Sequence, residues 1–247
     1  MNTAGETQPL SFDVPILMYH GVFKAGTPVA PYGIGARQLE QQLRLLQQWQ
    51  FQAVTFGQLL QIVLQKAPGP KKMVVLTFDD GDTTFAETTL PLLHQLGMTA
   101  TIFVINGRFG QPGFMDVATV KEAMNTGIEV GVHGLNHRSV CRCSEAELYE
   151  EIVVAKQRLE ASLATRLPTF CYPYGHHHPR LYPRLAQAGY LGAAAVFSRE
   201  PTVTHNPYAM RRIYPHPGDG PFRFRLKLSP LYLKWVAYRD RHRQTEC

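Results

Sequence analysis

Met73-Val74-Val75-Leu76-Thr77-Phe78 is followed at once by Asp79-Asp80-Gly81. Six apolar or β-branched residues without a polar alternation suit a strand buried on both faces, as in a parallel sheet. Runs of the same character recur at Val14–Tyr19, Gln52–Phe56, Thr99–Ile105, Ile128–His133, Thr169–Tyr172 and Ala193–Phe197. Helical patterns lie between them. Ala36–Trp49 carries Leu39, Leu43, Leu46 and Trp49 at helical spacing, and Phe85–Leu96 stops at Gly97. Ser144–Ala164 opens on a capping box, Ser144-x-x-Glu147, and Pro179–Ala188 stops at Gly189. Strand and helix alternate about seven times over ~220 residues, which predicts one (β/α) barrel rather than two domains.

The chain has 247 residues, 45% hydrophobic and 18% charged, a globular composition and not a disordered one. Its net charge of +6 is concentrated at one end. Residues 221–247 hold seven cations against two anions, a net +5, so residues 1–220 are almost neutral. The organisation read from this is an extension at 1–13, a barrel at 14–220 and a basic, aromatic tail at 221–247. Four cysteines, Cys141, Cys143, Cys171 and Cys247, show no C-x-x-C spacing. They are expected as free thiols in a reducing compartment. No basic stretch followed by an apolar one opens the sequence, and no apolar run reaches membrane-spanning length. The expectation is a cytoplasmic protein, peripheral on the inner membrane face if the tail binds lipid.

Three motifs fall at predicted strand ends, where parallel α/β folds place their active sites. Asp79-Asp80-Gly81 puts two carboxylates side by side, which is costly unless they are used, although Asp-Gly also makes an ordinary turn. His133-x-x-x-His137 follows the fifth run; two histidines at this spacing can face one metal, or can be loop residues. With one aspartate they form the two-histidine, one-carboxylate set shared by catalytic zinc and non-haem iron. Tyr172-Pro173-Tyr174-Gly175 is a rigid turn, able to aim the Tyr174 backbone N–H into a site or simply to end a strand.

The order TFDDG at 77–81, His-x-x-x-His at 133–137 and YPYG at 172–175 resembles the polysaccharide deacetylase family, also called the NodB-homology or carbohydrate esterase family 4 fold. PILMYHGV at 15–22 and RRI at 211–213 are similar to a subgroup of exopolysaccharide poly-N-acetylglucosamine N-deacetylases. The resemblance spans about residues 14–225 and implies a distorted (β/α)7 barrel. It also implies one divalent metal, zinc first and Co, Ni, Mn or Fe as alternatives, and removal of an N-acetyl group from an amino sugar. Carried over by motif, Asp79 matches the general base and Asp80, His133 and His137 the metal ligands. Tyr174 matches the residue whose backbone N–H holds the oxyanion.

The sequence departs from the family at three places. Cys171 stands where an arginine usually orients the catalytic aspartate, and Arg212 is the expected substitute. No Asp-x-x-Asp-Trp motif is found. Ile213-Tyr214-Pro215-His216 is a loose match to the motif that supplies a general acid, which makes His216 a candidate; His20, closing the first run, is another site candidate. His176-His177-His178 reads as a loop beside the site, since consecutive side chains do not readily share one ion.

Two readings of the tail compete. Phe222–Leu228 alternates like an edge strand and Ser229-Pro230 starts a helix; the segment 222–243 either lies on anionic lipid or docks on the barrel. No nucleic-acid motif is present. The partner expected is an N-acetylated amino-sugar glycan or a lipid-linked sugar. Competing functions are a non-catalytic glycan-binding or assembly protein, a deformylase or deacetylase of a polyprenyl-linked sugar, and an iron oxygenase.

Overall fold

The computed structural model describes residues 14–196 and 206–240. Among these residues ten strands are formed: β1 (Ile16–Tyr19), β2 (Val22–Phe23), β3 (Ile34–Gly35), β4 (Gln52–Val54), β5 (Met73–Phe78), β6 (Thr101–Val104), β7 (Glu129–Val132), β8 (Thr169–Cys171), β9 (Gly192–Ala195) and β10 (Met210–Arg211). The main sheet runs β1-β5-β6-β7-β8-β9-β10, all parallel. Strand β4 pairs with the first half of β5, opposite β1, and β6 takes the second half. Just past β10, Ile213 closes the ring onto β1: its N–H donates to Ile16 O at 2.7 Å and its carbonyl accepts from Met18 N at 2.8 Å. The result is a distorted barrel of seven staves, as expected; β2 and β3 form a separate ribbon.

The uninterrupted apolar runs follow from this closure. Successive strand side chains point to opposite faces. Ile16, Val75, Phe103, Cys171, Ala194 and Met210 form the lumen cluster. Their neighbours Leu17, Leu76, Ile102, Phe170, Ala193 and Ala195 join the outer core under the helices. Both faces are buried, so no polar alternation survives.

Helices α1 (Ala36–Gln48), α3 (Leu90–Gln95), α4 (Val117–Asn125), α5 (Glu145–Tyr149), α6 (Ala155–Leu163) and α7 (Tyr182–Gln187) contribute to that outer core. The sequence reading did not single out α4, nor α2 (Phe56–Gln65). Helix α2 is the barrel floor: Phe56, Leu59 and Leu60 belong to the lumen cluster, and Phe56 N–H and Gly57 N–H donate to Thr101 Oγ1 and Glu129 Oε2 at the starts of β6 and β7.

The C-terminal segment corrects the edge-strand expectation. Residues Pro221–Lys227 form α8 and Pro230–Asp240 form α9. Phe222, Phe224, Leu226 and Leu228 alternate, but Phe224 and Leu228 are also four apart, on one helical face, and Pro221 sits at the first helical turn. Phe224, Leu228 and Leu233 enter the same outer core as the barrel helices. Residues 1–13 and 241–247 lie outside the described residues, as does Phe197 of the seventh predicted strand. The expectation of four free thiols is also corrected. Cys143 and Cys171 are free, but Cys141 is in a disulfide, a pairing that sequence spacing could not reveal. No helix among the described residues is long and apolar enough to cross a membrane.

Candidate active site

Strand parity decides what enters the upper lumen. Val75 faces inward, so Thr77 and Asp79 do too; Met210 faces inward, so Arg212 follows. Arg212 lies beside Asp79 and grips it with both arms, Nη1 to Oδ1 at 2.6 Å and Nη2 to Oδ2 at 2.7 Å. Nη1 also reaches Thr77 Oγ1 at 3.2 Å, and the guanidinium lies 5.9 Å from the Phe103 ring centroid. Both partners are buried. Burial alone pushes the Asp79 carboxyl up, but the Arg212 charge and hydrogen bonds outweigh it and hold Asp79 well below the usual carboxylate range. Cys171 stands 3.8 Å from both Asp79 oxygens, and burial pushes its thiol far up, so it stays neutral. The cation on Asp79 comes from the residue after β10, and Cys171 stands on β8.

Asp80 leaves the strand in the left-handed region, φ 73°, which turns its side chain away from that of Asp79. His133 follows β7 directly and His137 ends the next turn, also left-handed at φ 59°. Asp80 Oδ1 lies 3.6 Å from Nε2 of each histidine. His133 Nδ1 is 2.9 Å from the Cys171 carbonyl; donating there, it keeps Nε2 free and aimed at Asp80, the arrangement usual for a histidine metal ligand. Burial pushes His133 down to about 3 and lowers His137 as well, so both rings are neutral and able to coordinate. Burial and the neighbouring Asp79 push Asp80 up to about 6.

Among the described residues two overlapping groups offer metal donors, Asp79-His133-Cys171 and Asp80-His133-His137. The first is a poor fit, because Asp79 is committed to Arg212 and the Cys171 thiol is neutral. The second fits: Asp80 Oδ1 is buried without a hydrogen-bond partner, and two neutral imidazole nitrogens face it. A divalent cation would satisfy all three.

The loop joining the histidines rests on Glu151, which the sequence reading missed. Its carboxylate is fully buried and accepts Leu135 N–H at 3.0 Å and Asn136 N–H at 3.0 Å. It projects from a π-helical turn, Glu150–Val154, between α5 and α6. Such turns are rare and concentrate at functional sites. Gly134, at φ +77°, lets the carboxylate approach: a Cβ there would stand 2.3 Å from Glu151 Oε2. On the other side Asn106 N–H and Gly107 N–H donate to the Gly134 and Leu135 carbonyls. A charged residue beside Leu148 and Ile152 on an otherwise apolar helical stripe was the available sequence signal.

The remaining candidates separate. His20, after β1, lies with Nε2 3.8 Å from Asp79 Oδ2. Tyr174, after β8, adopts φ 62° and sets its ring 4.7 Å from that of His137. His216 is exposed; its Nδ1 accepts Gly218 N–H and its ring meets Tyr214, and among the described contacts none joins it to Asp79, Asp80 or the two ligand histidines. The rings of His176, His177 and His178 go to different partners: Tyr174, the Tyr182 hydroxyl and the Arg180 N–H. Three site residues, Asp80, His137 and Tyr174, hold left-handed backbones, the kind of local strain that functional sites retain.

The sequence pattern of the family described as polysaccharide deacetylase matches residues 66–193. The poly-beta-1,6-N-acetyl-D-glucosamine N-deacetylase of Staphylococcus aureus is 25% identical over 205 residues, covering 77% of this chain and 70% of the relative. Among solved structures, the Streptococcus pyogenes deacetylase PplD, in complex with acetate, superposes with a TM-score of 0.82 at 22% identity, covering 89% of this chain and 99% of that one. IcaB from Ammonifex degensii gives 0.72 at 24% identity, covering 90% and 97%.

Proposed function

The chain belongs to the polysaccharide deacetylase family, and from that premise we propose that it is a metal-dependent hydrolase that removes the N-acetyl group from an amino sugar in a glycan or glycolipid. The observation that carries this reading is the pair of adjacent carboxylates in different surroundings. Asp79 is buried, ionised and clamped by Arg212; Asp80 faces two neutral histidines. One carboxylate is thereby kept as a base and the other as a ligand.

A divalent metal held by Asp80, His133 and His137 supplies Lewis acidity towards an amide carbonyl and a water. We assign zinc first, since two histidines and a carboxylate suit it; Co, Ni, Mn and Fe accept the same donors. Asp79 takes the proton of the attacking water, and Arg212 fixes the direction of its oxygens. The Tyr174 backbone N–H donates to the developing oxyanion, a contribution of about 3 kcal/mol for one such donor. His20, beside Asp79, is better placed than the exposed His216 to return a proton to the leaving amine.

This division of labour favours hydrolysis over an oxygenase, in which Asp79 would have no task, and over simple glycan binding, which does not need an oriented buried base. The test is a substrate panel: N-acetylglucosamine, its β-1,6- and β-1,4-linked oligomers and a polyprenyl-linked N-acyl sugar, with acetate and formate both measured. Acetate release abolished by chelator supports the proposal. Formate release from the lipid-linked sugar would replace it with a deformylase. Saccharide binding with no release of either acid would replace it with a binding protein.

We also propose that α8 and α9 touch an anionic membrane surface. Phe222 and Leu231 are 81% and 79% exposed, Leu226 and Trp235 are exposed near them, and Arg223, Arg225 and Lys234 lie between.

A further inference from the structure

Thr77 carries the one hydroxyl of strand Met73–Phe78, which is otherwise built of Met, Val, Leu and Phe. It is fully buried. A valine has nearly the same shape and suits a strand as well, so packing gives no reason for a hydroxyl here. A buried hydroxyl is also costly unless it is hydrogen-bonded. Two bonds offset that cost. Thr77 Oγ1 donates to the Leu17 carbonyl on β1 at 2.8 Å and accepts from Arg212 Nη1 at 3.2 Å.

The directions of both bonds are fixed. A guanidinium only donates, so the hydroxyl must present its oxygen to Arg212. Its single proton then goes elsewhere, and the Leu17 carbonyl takes it. Thr77 thus holds Arg212 with an oxygen that is itself held by β1. This tie lies at the seam of the barrel: Arg212 N–H donates to Ala195 O on β9 at 2.8 Å, and Ile213, next in the chain, closes onto β1. Nη1 is the shared atom, since it bonds both Thr77 Oγ1 and, at 2.6 Å, Asp79 Oδ1. A fork with one arm tied to the wall cannot swivel without breaking that tie.

We propose that Thr77 is a positioning residue: by anchoring Arg212 Nη1 to β1, it sets the plane of the guanidinium and so the direction in which the Asp79 oxygens face. This rests on the deacetylase reading, in which Asp79 is the base, and adds a residue to it. No described contact joins the Thr77 side chain to Asp80, His133 or His137, so its effect enters through the chemical step and not through metal binding.

The experiment compares zinc-loaded wild type, Thr77→Val and Thr77→Ser on an N-acetylglucosamine oligomer. Thermal melts verify that the variants fold; if Thr77→Val does not, Thr77→Ala makes the same comparison. The expected result for Thr77→Val is a kcat about tenfold lower, with KM and zinc affinity within about twofold of wild type and Thr77→Ser restoring most of the rate. In Arg212→Lys, which has no fork to orient, adding Thr77→Val is expected to cost less than about twofold. An unchanged kcat with only a lower melting temperature overturns the proposal, as does the same loss in both backgrounds. If wild type releases no acetate, the deacetylase reading fails separately. Crystal structures of wild type and Thr77→Val then decide: loss of one of the two Arg212–Asp79 bonds in the variant supports the proposal, and an unchanged fork overturns it.

Discussion

Arg212 holds Asp79 by two parallel hydrogen bonds of 2.6 and 2.7 Å inside the barrel, where both side chains are buried. Breaking a buried pair of this kind leaves an uncompensated charge and costs about 3–5 kcal/mol. Arg212→Ala is therefore expected to lose that much stability at pH 7. The sign with pH follows from the Asp79 shift. Its folded carboxyl lies below its unfolded value, so its contribution is complete above pH ~4 and is lost as pH falls below that. The gap between wild type and Arg212→Ala should narrow in denaturant melts below pH ~4. Arg212→Lys keeps the charge but not the fork; its pH–rate profile should lose activity at higher pH than wild type as the Asp79 carboxyl rises. An unmoved acid limb would show that Arg212 does not tune Asp79.

Metal affinity should carry the titration of Asp80. Both histidines are already neutral, with His133 near 3, whereas Asp80 in the metal-free protein lies near 6. A metal must displace the Asp80 proton, so zinc affinity should be flat above pH ~7 and fall about tenfold per unit below pH ~6. Competition with a chelating dye measures this. Affinity unchanged between pH 7.5 and 5 would remove Asp80 from the ligand set.

Glu151 should act on metal binding without touching the metal. Glu151→Ala leaves the Leu135 and Asn136 N–H groups without their acceptor, and the His137 turn loses its anchor. Zinc affinity is expected to drop by about 10–100-fold. Glu151→Gln, which retains one acceptor oxygen, should lose less. Equal zinc affinity in all three proteins, measured on folded samples, would leave Glu151 a packing residue only.

How these residues could be read from sequence differs from case to case. The barrel was legible because strands buried on both faces leave uninterrupted apolar runs, and the rim was legible because the motifs close those runs. Arg212 could be named as the substitute cation because Cys171 left the usual place without one, but its two-armed pairing with Asp79 depends on strand order and inward parity, which the sequence does not display. Glu151 was hidden because its partners are backbone N–H groups, which carry no residue signature. The segment at 222–228 misled because residues two apart and four apart coincide: Phe224 and Leu228 satisfy a helix as well as a strand.

The outer faces of α8 and α9 give a separate test. Because Phe224, Leu228 and Leu233 are core residues, truncation before 221 would disturb the barrel; point changes on the outer face avoid this. Phe222→Ser with Leu231→Ser and Trp235→Ser is expected to abolish co-sedimentation with phosphatidylserine-containing vesicles while the melting temperature stays within a few degrees. Binding to neutral and anionic vesicles alike, or to neither by wild type, would contradict the membrane reading.

The central claim is that one metal at Asp80, His133 and His137 works with Asp79 to hydrolyse an N-acetyl group. The most direct measurement is acetate release from an N-acetylglucosamine oligomer by chelator-treated protein as zinc is added back. The account predicts no release without metal, linear recovery that saturates at one equivalent, and loss of at least about a hundredfold in zinc-loaded Asp79→Asn. Release that survives the chelator, or zinc-loaded Asp79→Asn matching wild type, would contradict it.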